Sequence, residues 1–275
     1  MLGSCQEQAP FCAQFARDLG CISISVDYRL GPYNTFPAAH EDGEDVLNAI
    51  LKPGSPGYSQ LREGIKFHMD EHYMKKTELD CNRVAVSGFS AGGNIALNLV
   101  MNMGPPQLDK SWPCPFPQDY PNPIPALLYY AVVDSCKRPS ERARVAAQDK
   151  APRSVVGALN IEGKLMNTYM TPEQAASMRG SPGLAPIEDG GLHDKARPLL
   201  ILAEKDGLTP QNEEWFEKVV AAGRGKDIRL EKYLGVSHGW TQFPDAWIDQ
   251  HARDTKREAH GKAVEFVREM WYKSA

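Results

Sequence analysis

The sequence predicts an α/β fold, a mostly parallel sheet with helices on both faces. Three observations carry that reading. Short β-branched runs alternate with segments of helical apolar spacing along the 275 residues, the pattern of strand–helix–strand units. The stretch VAVSGFSAGGNIAL (84–97) reads as a buried strand, a Gly88-Phe89-Ser90-Ala91-Gly92 turn and the start of an apolar helix. Ser90, Asp206 and His238 each stand at the carboxyl end of a predicted strand, where open parallel sheets bind their ligands.

Taken in order, EQAPFCAQFARDLG spaces its apolar residues as a helix and stops on Gly20. CISISV (21–26) is β-branched and predicts a strand. DYRLGPYNTFP is a Gly/Pro-rich loop, and PAAHEDGEDVLNAILK is a helix opened by Pro37. Its HEDGEDVL acids fit a helix start rather than a cation loop. A helix follows around IKFHMDEHYMKK, then the strand RVAVS and the helix AGGNIALNLVMNMG, apolar enough to pack on a sheet. Residues 104–125 hold eight prolines and predict a surface connector with polyproline character. ALLYYAVV is the next strand. Residues 135–190 are weakly periodic and mostly helical. RPLLILAEKD returns as strand and loop, PQNEEWFEKVVAAG as a helix, IRLEKYLG as a strand, and AVEFVREMWYK as an amphipathic closing helix.

Composition bounds the function classes. A chain of this length is read as a single domain, 1–275, able to bury roughly three quarters of its unfolded surface. Hydrophobic residues make up 42% and charged residues 24%, with a net charge of 31 − 35 = −4; no Lys/Arg run suggests nucleic acid. KKTELDCNR and RDTKREAHGK are short mixed clusters that fit solvated faces. No window approaches eighteen consecutive apolar residues, so no membrane span is expected, and MLGSCQEQAPFCAQF lacks the basic start and apolar run of a secretory signal. Cys5, Cys12, Cys21, Cys81, Cys114 and Cys136 form no CxxC pair, which fits reduced thiols in a cytoplasmic protein. No HExxH motif occurs, so neither a metal nor another cofactor is expected. The expected partner is a small molecule.

The chemistry concentrates on three residues. A serine hydroxyl needs a base to take its proton, and the base needs an acid to hold its tautomer. In Gly-x-Ser-x-Gly the chain turns sharply from strand to helix, and Gly88 and Gly92 are expected to supply the missing side chains that the turn demands. The following helix aims its first N–H groups at the site. Asp206 lies in AEKDGLTP and His238 in GVSHGW. Alone, a strand-end aspartate is more often a helix cap and a histidine more often structural; the order Ser, Asp, His with three matching contexts points to a catalytic triad. Tyr130, Trp240 and Phe243 flank these segments and either line an acyl pocket or pack beneath the site.

These motifs together resemble the hormone-sensitive-lipase-like carboxylesterases of the α/β-hydrolase fold. VDYRLGPYNTFPAAHEDGEDVL is similar to that branch's DYRLAPE…FPAALED, and SGFSAGGNIA to its GDSAGGNLA. The Asp206 and His238 contexts match its last two motifs. The resemblance implies an α/β-hydrolase fold with a partial helical cap, for which 135–190 is the matching portion. It also implies hydrolysis of short to medium acyl esters through an acyl-enzyme on Ser90, with the Ala91 N–H in the oxyanion hole. Phe89 stands where the branch carries an acid. The branch's HGGG oxyanion turn and its strand precede a segment that MLGSCQEQ resembles, so the sheet is expected either to keep a vacant place between CISISV and RVAVS or to pair them directly. Three functions follow: an esterase, an impaired relative that binds a ligand or partner, and an acyltransferase or lyase on a specialised metabolite.

Overall fold

The computed structural model describes residues 4–72, 78–103, 112–137, 168–188 and 190–272. Within them, four parallel strands make one sheet in the order β1 (Val86–Phe89), β2 (Ile124–Tyr129), β3 (Ala196–Lys205) and β4 (Arg229–Ser237). The helices are α1 (Ala9–Leu19), α2 (Ala38–Leu51), α3 (Tyr58–Glu71), α4 (Ala91–Asn98), α5 (Thr209–Val219) and α6 (Gln250–Tyr272). A single turn of helix, Pro172–Ala175, opens with a Thr171/Gln174 capping box.

Strand alternation sorts the core into two layers. Ile124, Ala126 and Leu128 of β2 join Leu200 and Leu202 of β3 on one face, under Leu97 of α4 and Trp215 of α5. Leu127, Tyr129, Leu199 and Ile201 point to the other, under Phe11 and Phe15 of α1 and Val264 and Val267 of α6. Both faces of β2 and β3 are therefore covered, which is why these strands read as unbroken apolar runs rather than alternating ones. Each fully buried Leu, Ile or Phe contributes roughly 1.5–3 kcal/mol relative to exposure, so these two layers fix where the strand ends lie.

Several expectations need correcting. Residues 21–26 form no strand: among the described residues β1 pairs with β2 alone. The segment instead leans on the α1 region, with the Ser23 hydroxyl donating to the Cys12 carbonyl and the Ser25 hydroxyl to that of Cys5. β-Branched side chains favour a strand only where a neighbouring strand receives them. The proline-rich connector, described from residue 112, is partly core: Phe116 and Tyr120 are buried, and the Tyr120 hydroxyl accepts from the Val84 N–H and donates to the Cys81 carbonyl. α4 ends at Asn98, short of the predicted MNMG, because Met101 and Met103 turn away into bridges with Leu192 and Trp112. The α6 helix begins earlier than its apolar pattern, at Gln250. Much of the expected cap, residues 138–167, lies outside the described residues.

Candidate active site

Ser90 sits at the junction of β1 and α4 with φ 53° and ψ −113°, a conformation L-residues rarely adopt and one that persists only when its surroundings over-determine it. The surroundings do so here. The Ser90 N–H donates to the Tyr129 carbonyl (2.9 Å), while its own carbonyl accepts from Val132 N–H (3.1 Å) and Asn94 N–H (3.3 Å). A Cβ on Gly88 would fall on the Gly92 carbonyl, so the turn closes only over glycine. Gly92 does not share that role, since a Cβ there meets nothing within 4 Å. The second crowded position is Gly93, where a Cβ would come within 2.6 Å of Ala131 Cβ on the neighbouring chain segment.

The other two strand ends deliver their groups to the same place. Asp206, 3% exposed, follows β3; its Oδ1 accepts the Leu208 N–H at 2.9 Å, leaving Oδ2 2.7 Å from His238 Nδ1. His238, whose side chain is 41% exposed, follows β4 and places Nε2 3.0 Å from Ser90 Oγ. With Asp206 as a carboxylate, Nδ1 must carry the proton, which leaves Nε2 as the acceptor for the serine hydroxyl. The Ala91 N–H is the first of α4, a position without an intrahelical acceptor and at the positive end of the helix.

Residues 1–242 match a family described by its alpha/beta hydrolase fold. The chain belongs to that family. The alpha/beta hydrolase match agrees with the carboxylesterase resemblance of the motifs, and the named relatives point the same way. "Carboxylesterase 20" of Arabidopsis thaliana is 37% identical over 89 residues, covering 32% of this chain and 22% of that protein. "Ethyl acetate hydrolase" of Pseudomonas putida is 24% identical over 244 residues, 88% of this chain and 63% of that protein; this chain thus spans less than two thirds of either relative. Among solved structures, a thermostable carboxylesterase cloned from a metagenomic library superposes with a TM-score of 0.65 at 25% identity, covering 97% of this chain and 75% of that one. The esterase of Pyrobaculum calidifontis gives 0.65 at 23%, covering 98% and 73%.

In this alpha/beta hydrolase the three aromatic candidates occupy different places. Tyr130 is fully buried, its ring edge-on to the His238 imidazole with centroids 4.9 Å apart. Burial holds its phenol protonated, and its oxygen lies 2.6 Å from Thr241 Oγ1. Trp240 is buried against Tyr130 and Tyr233. Phe243 is 44% exposed and flanks Gly239, the one of the three with a face toward solvent. The placement favours packing for the first two. Phe89, in place of the branch's acid, stacks on Tyr129 (4.4 Å) and meets Phe11 of α1 edge-on (5.2 Å).

Supporting groups escape a motif reading. Asn94 Nδ2 donates to the Val132 and Gly180 carbonyls (2.7 and 3.0 Å), and its Oδ1 lies 2.8 Å from buried His40 Nε2. Gln211 Oε1 accepts from the Val133 and Asp134 N–H groups (2.9 and 2.7 Å). Both hold the chain leaving β2 beside the elbow. For Asn94 the one available signal is a polar residue inside an otherwise apolar helical pattern, which names no partner; Gln211, among polar neighbours, gives none.

Proposed function

We propose that the protein is a serine carboxylic-ester hydrolase acting on short to medium acyl esters. The observation that carries this is the unbroken line of contacts from Asp206 Oδ2 through the His238 ring to Ser90 Oγ, at 2.7 and 3.0 Å, assembled from three strand ends. Ser90 Oγ attacks the ester carbonyl carbon as its proton passes to His238 Nε2. The carbonyl oxygen gathers negative charge against the Ala91 N–H and the end of α4. His238 returns the proton to the departing alcohol, leaving the acyl group on Ser90. Water then repeats the sequence with His238 as base, releasing the acid and restoring the hydroxyl. Asp206 holds the imidazole in its tautomer and stabilises the imidazolium. The acyl range rests on the family resemblance and on a relative named for ethyl acetate. Six free cysteines support a cytoplasmic setting, and among the described residues no helix is long and apolar enough to cross a membrane.

A second reading, a relative that binds a ligand with little turnover, is favoured by one observation: among the described residues β1, which carries the elbow, is paired on one edge only. A fluorophosphonate probe with intact-mass readout, beside p-nitrophenyl acetate hydrolysis, separates the two. Stoichiometric labelling and turnover, both lost in Ser90→Ala, are expected. A protein that melts cooperatively yet takes no label would favour binding. Ester formed from an added alcohol, in place of free acid, would turn the same intermediate toward acyl transfer.

A further inference from the structure

The α3 helix contributes no buried residue, yet its last turn gathers three good metal ligands. The segment HMDEH places His68, Glu71 and His72 at i, i+3 and i+4, the spacing that puts side chains on one face of a helix. Their ligand atoms lie within 4.8 Å of one another and all three residues are exposed. The two imidazole rings already lie side by side, with centroids 4.4 Å apart and planes tilted by 59°. Among the described residues no ion pair engages Glu71 and no side-chain hydrogen bond engages either histidine. The HExxH spacing sought in the sequence passes over this pair, because the glutamate here precedes the second histidine directly.

We propose that His68, Glu71 and His72 bind one divalent transition-metal ion of the zinc class at the carboxyl end of α3. Two imidazole nitrogens and a carboxylate oxygen are a borderline donor set that suits Zn²⁺, Ni²⁺ or Cu²⁺, whereas Mg²⁺ and Ca²⁺ prefer oxygen alone. A tetrahedral ion with bonds of about 2.0–2.2 Å needs its ligands about 3.3–3.5 Å apart. Binding therefore requires the three side chains to rotate inward from their present spacing of up to 4.8 Å. The negative end of the helix dipole, where the last carbonyls lack intrahelical donors, adds to the attraction for a cation. Water fills the remaining coordination position. The ion ties the last turn of α3 together and shares no residue with the Ser90 relay, so the site is peripheral to ester hydrolysis.

The test is calorimetric titration of the chelator-stripped full chain with ZnCl₂ and then NiCl₂, beside Glu71→Gln and the double variant His68→Ala/His72→Ala. All three positions are exposed, and an unchanged circular-dichroism melt of the metal-free variants checks their folding. One equivalent taken up by the parent, weakened in Glu71→Gln and lost in the double variant, is expected. A metal-dependent rise in melting temperature should accompany it only where the histidine pair is intact. No uptake by the parent overturns the proposal. Equal uptake by the double variant also overturns it, placing the ion on thiols or on His238 instead.

Discussion

The Tyr130 ring stands edge-on beneath the His238 imidazole, centroids 4.9 Å apart, and its hydroxyl is fixed 2.6 Å from Thr241 Oγ1 and 3.2 Å from Gln242 Oε1. The two residues come from different strand exits, so this contact ties the turn after β2 to the loop that carries the histidine. Tyr130→Phe keeps the ring and removes the tie, leaving buried Thr241 and half-buried Gln242 short of a partner. The expected cost is about 1–3 kcal/mol in stability, read as a lower urea midpoint. A fall in kcat larger than the change in KM should accompany it, because His238 loses its fixed angle. An unchanged kcat would remove Tyr130 from the positioning role and leave it as packing alone.

Gly88 and Gly92 flank Ser90 symmetrically in sequence but not in space. Gly88→Ala would drive a methyl into the Gly92 carbonyl, against backbone that cannot yield without opening the elbow. No cooperatively folded, labelling-competent protein is expected from it. Gly92→Ala meets open space inside a helix, where alanine is favoured by roughly 0.5–1 kcal/mol. Its denaturant midpoint should hold or rise. Equal damage from the two substitutions would contradict a turn that is crowded at Gly88 and open at Gly92.

Asp206→Asn tests the tautomer argument. Asparagine can still accept the Leu208 N–H while turning its amide nitrogen toward His238, so the local fold survives. That amide donates, which forces Nδ1 to accept and moves the ring proton to Nε2, where it blocks uptake of the serine proton. A kcat lower by about 10⁴ with little change in KM is expected. Steady-state hydrolysis of p-nitrophenyl acetate measures both. A loss of less than tenfold would point to a nucleophile activated by some other route.

What a sequence reader can see depends on whether the information is local. Ser90, Asp206 and His238 are legible because each is announced by its own strand and turn, and parallel topology brings strand ends together without further instruction. The segment 21–26 misleads for the opposite reason: Ile22, Ile24 and Val26 carry strand propensity, but sheet membership is conferred by a neighbour elsewhere in the chain. The motif spacing selects Gly92 and passes over Gly93, because Ala131, which crowds Gly93, belongs to the exit of another strand. Phe116 and Tyr120 sit in a stretch whose prolines announce a loop and conceal that two of its rings reach the core.

His40 shows the same limit and yields the last prediction. Its helix pattern marks it as one polar residue among several, yet it lies beneath the elbow helix, with Nε2 2.8 Å from Asn94 Oδ1 and Nδ1 buried without a partner. Asn94 Nδ2 is committed to two carbonyls, so Oδ1 is the acceptor and Nε2 must donate; a second proton on the buried Nδ1 would find no acceptor, which favours the neutral ring. Burial, with the nearby Arg179 charge adding to it, depresses the His40 value from 6.5 to about 4. His260, buried under α1, is depressed to about 4 as well, chiefly by burial. Between those limits the unfolded chain binds protons that the folded one refuses. Stability therefore falls as pH drops from about 6.5 toward about 4, and the loss levels off once the folded state also protonates. Each histidine accounts for about 3 kcal/mol across that window. His40→Gln keeps a donor to Asn94 without a titrating group. Urea unfolding at the two ends of the window should show a pH slope for the parent that is shallower in the variant by about half of the two-histidine share. If the slopes of parent and variant coincide, His40 binds its proton equally in the folded and unfolded chain, and burial does not hold the ring neutral.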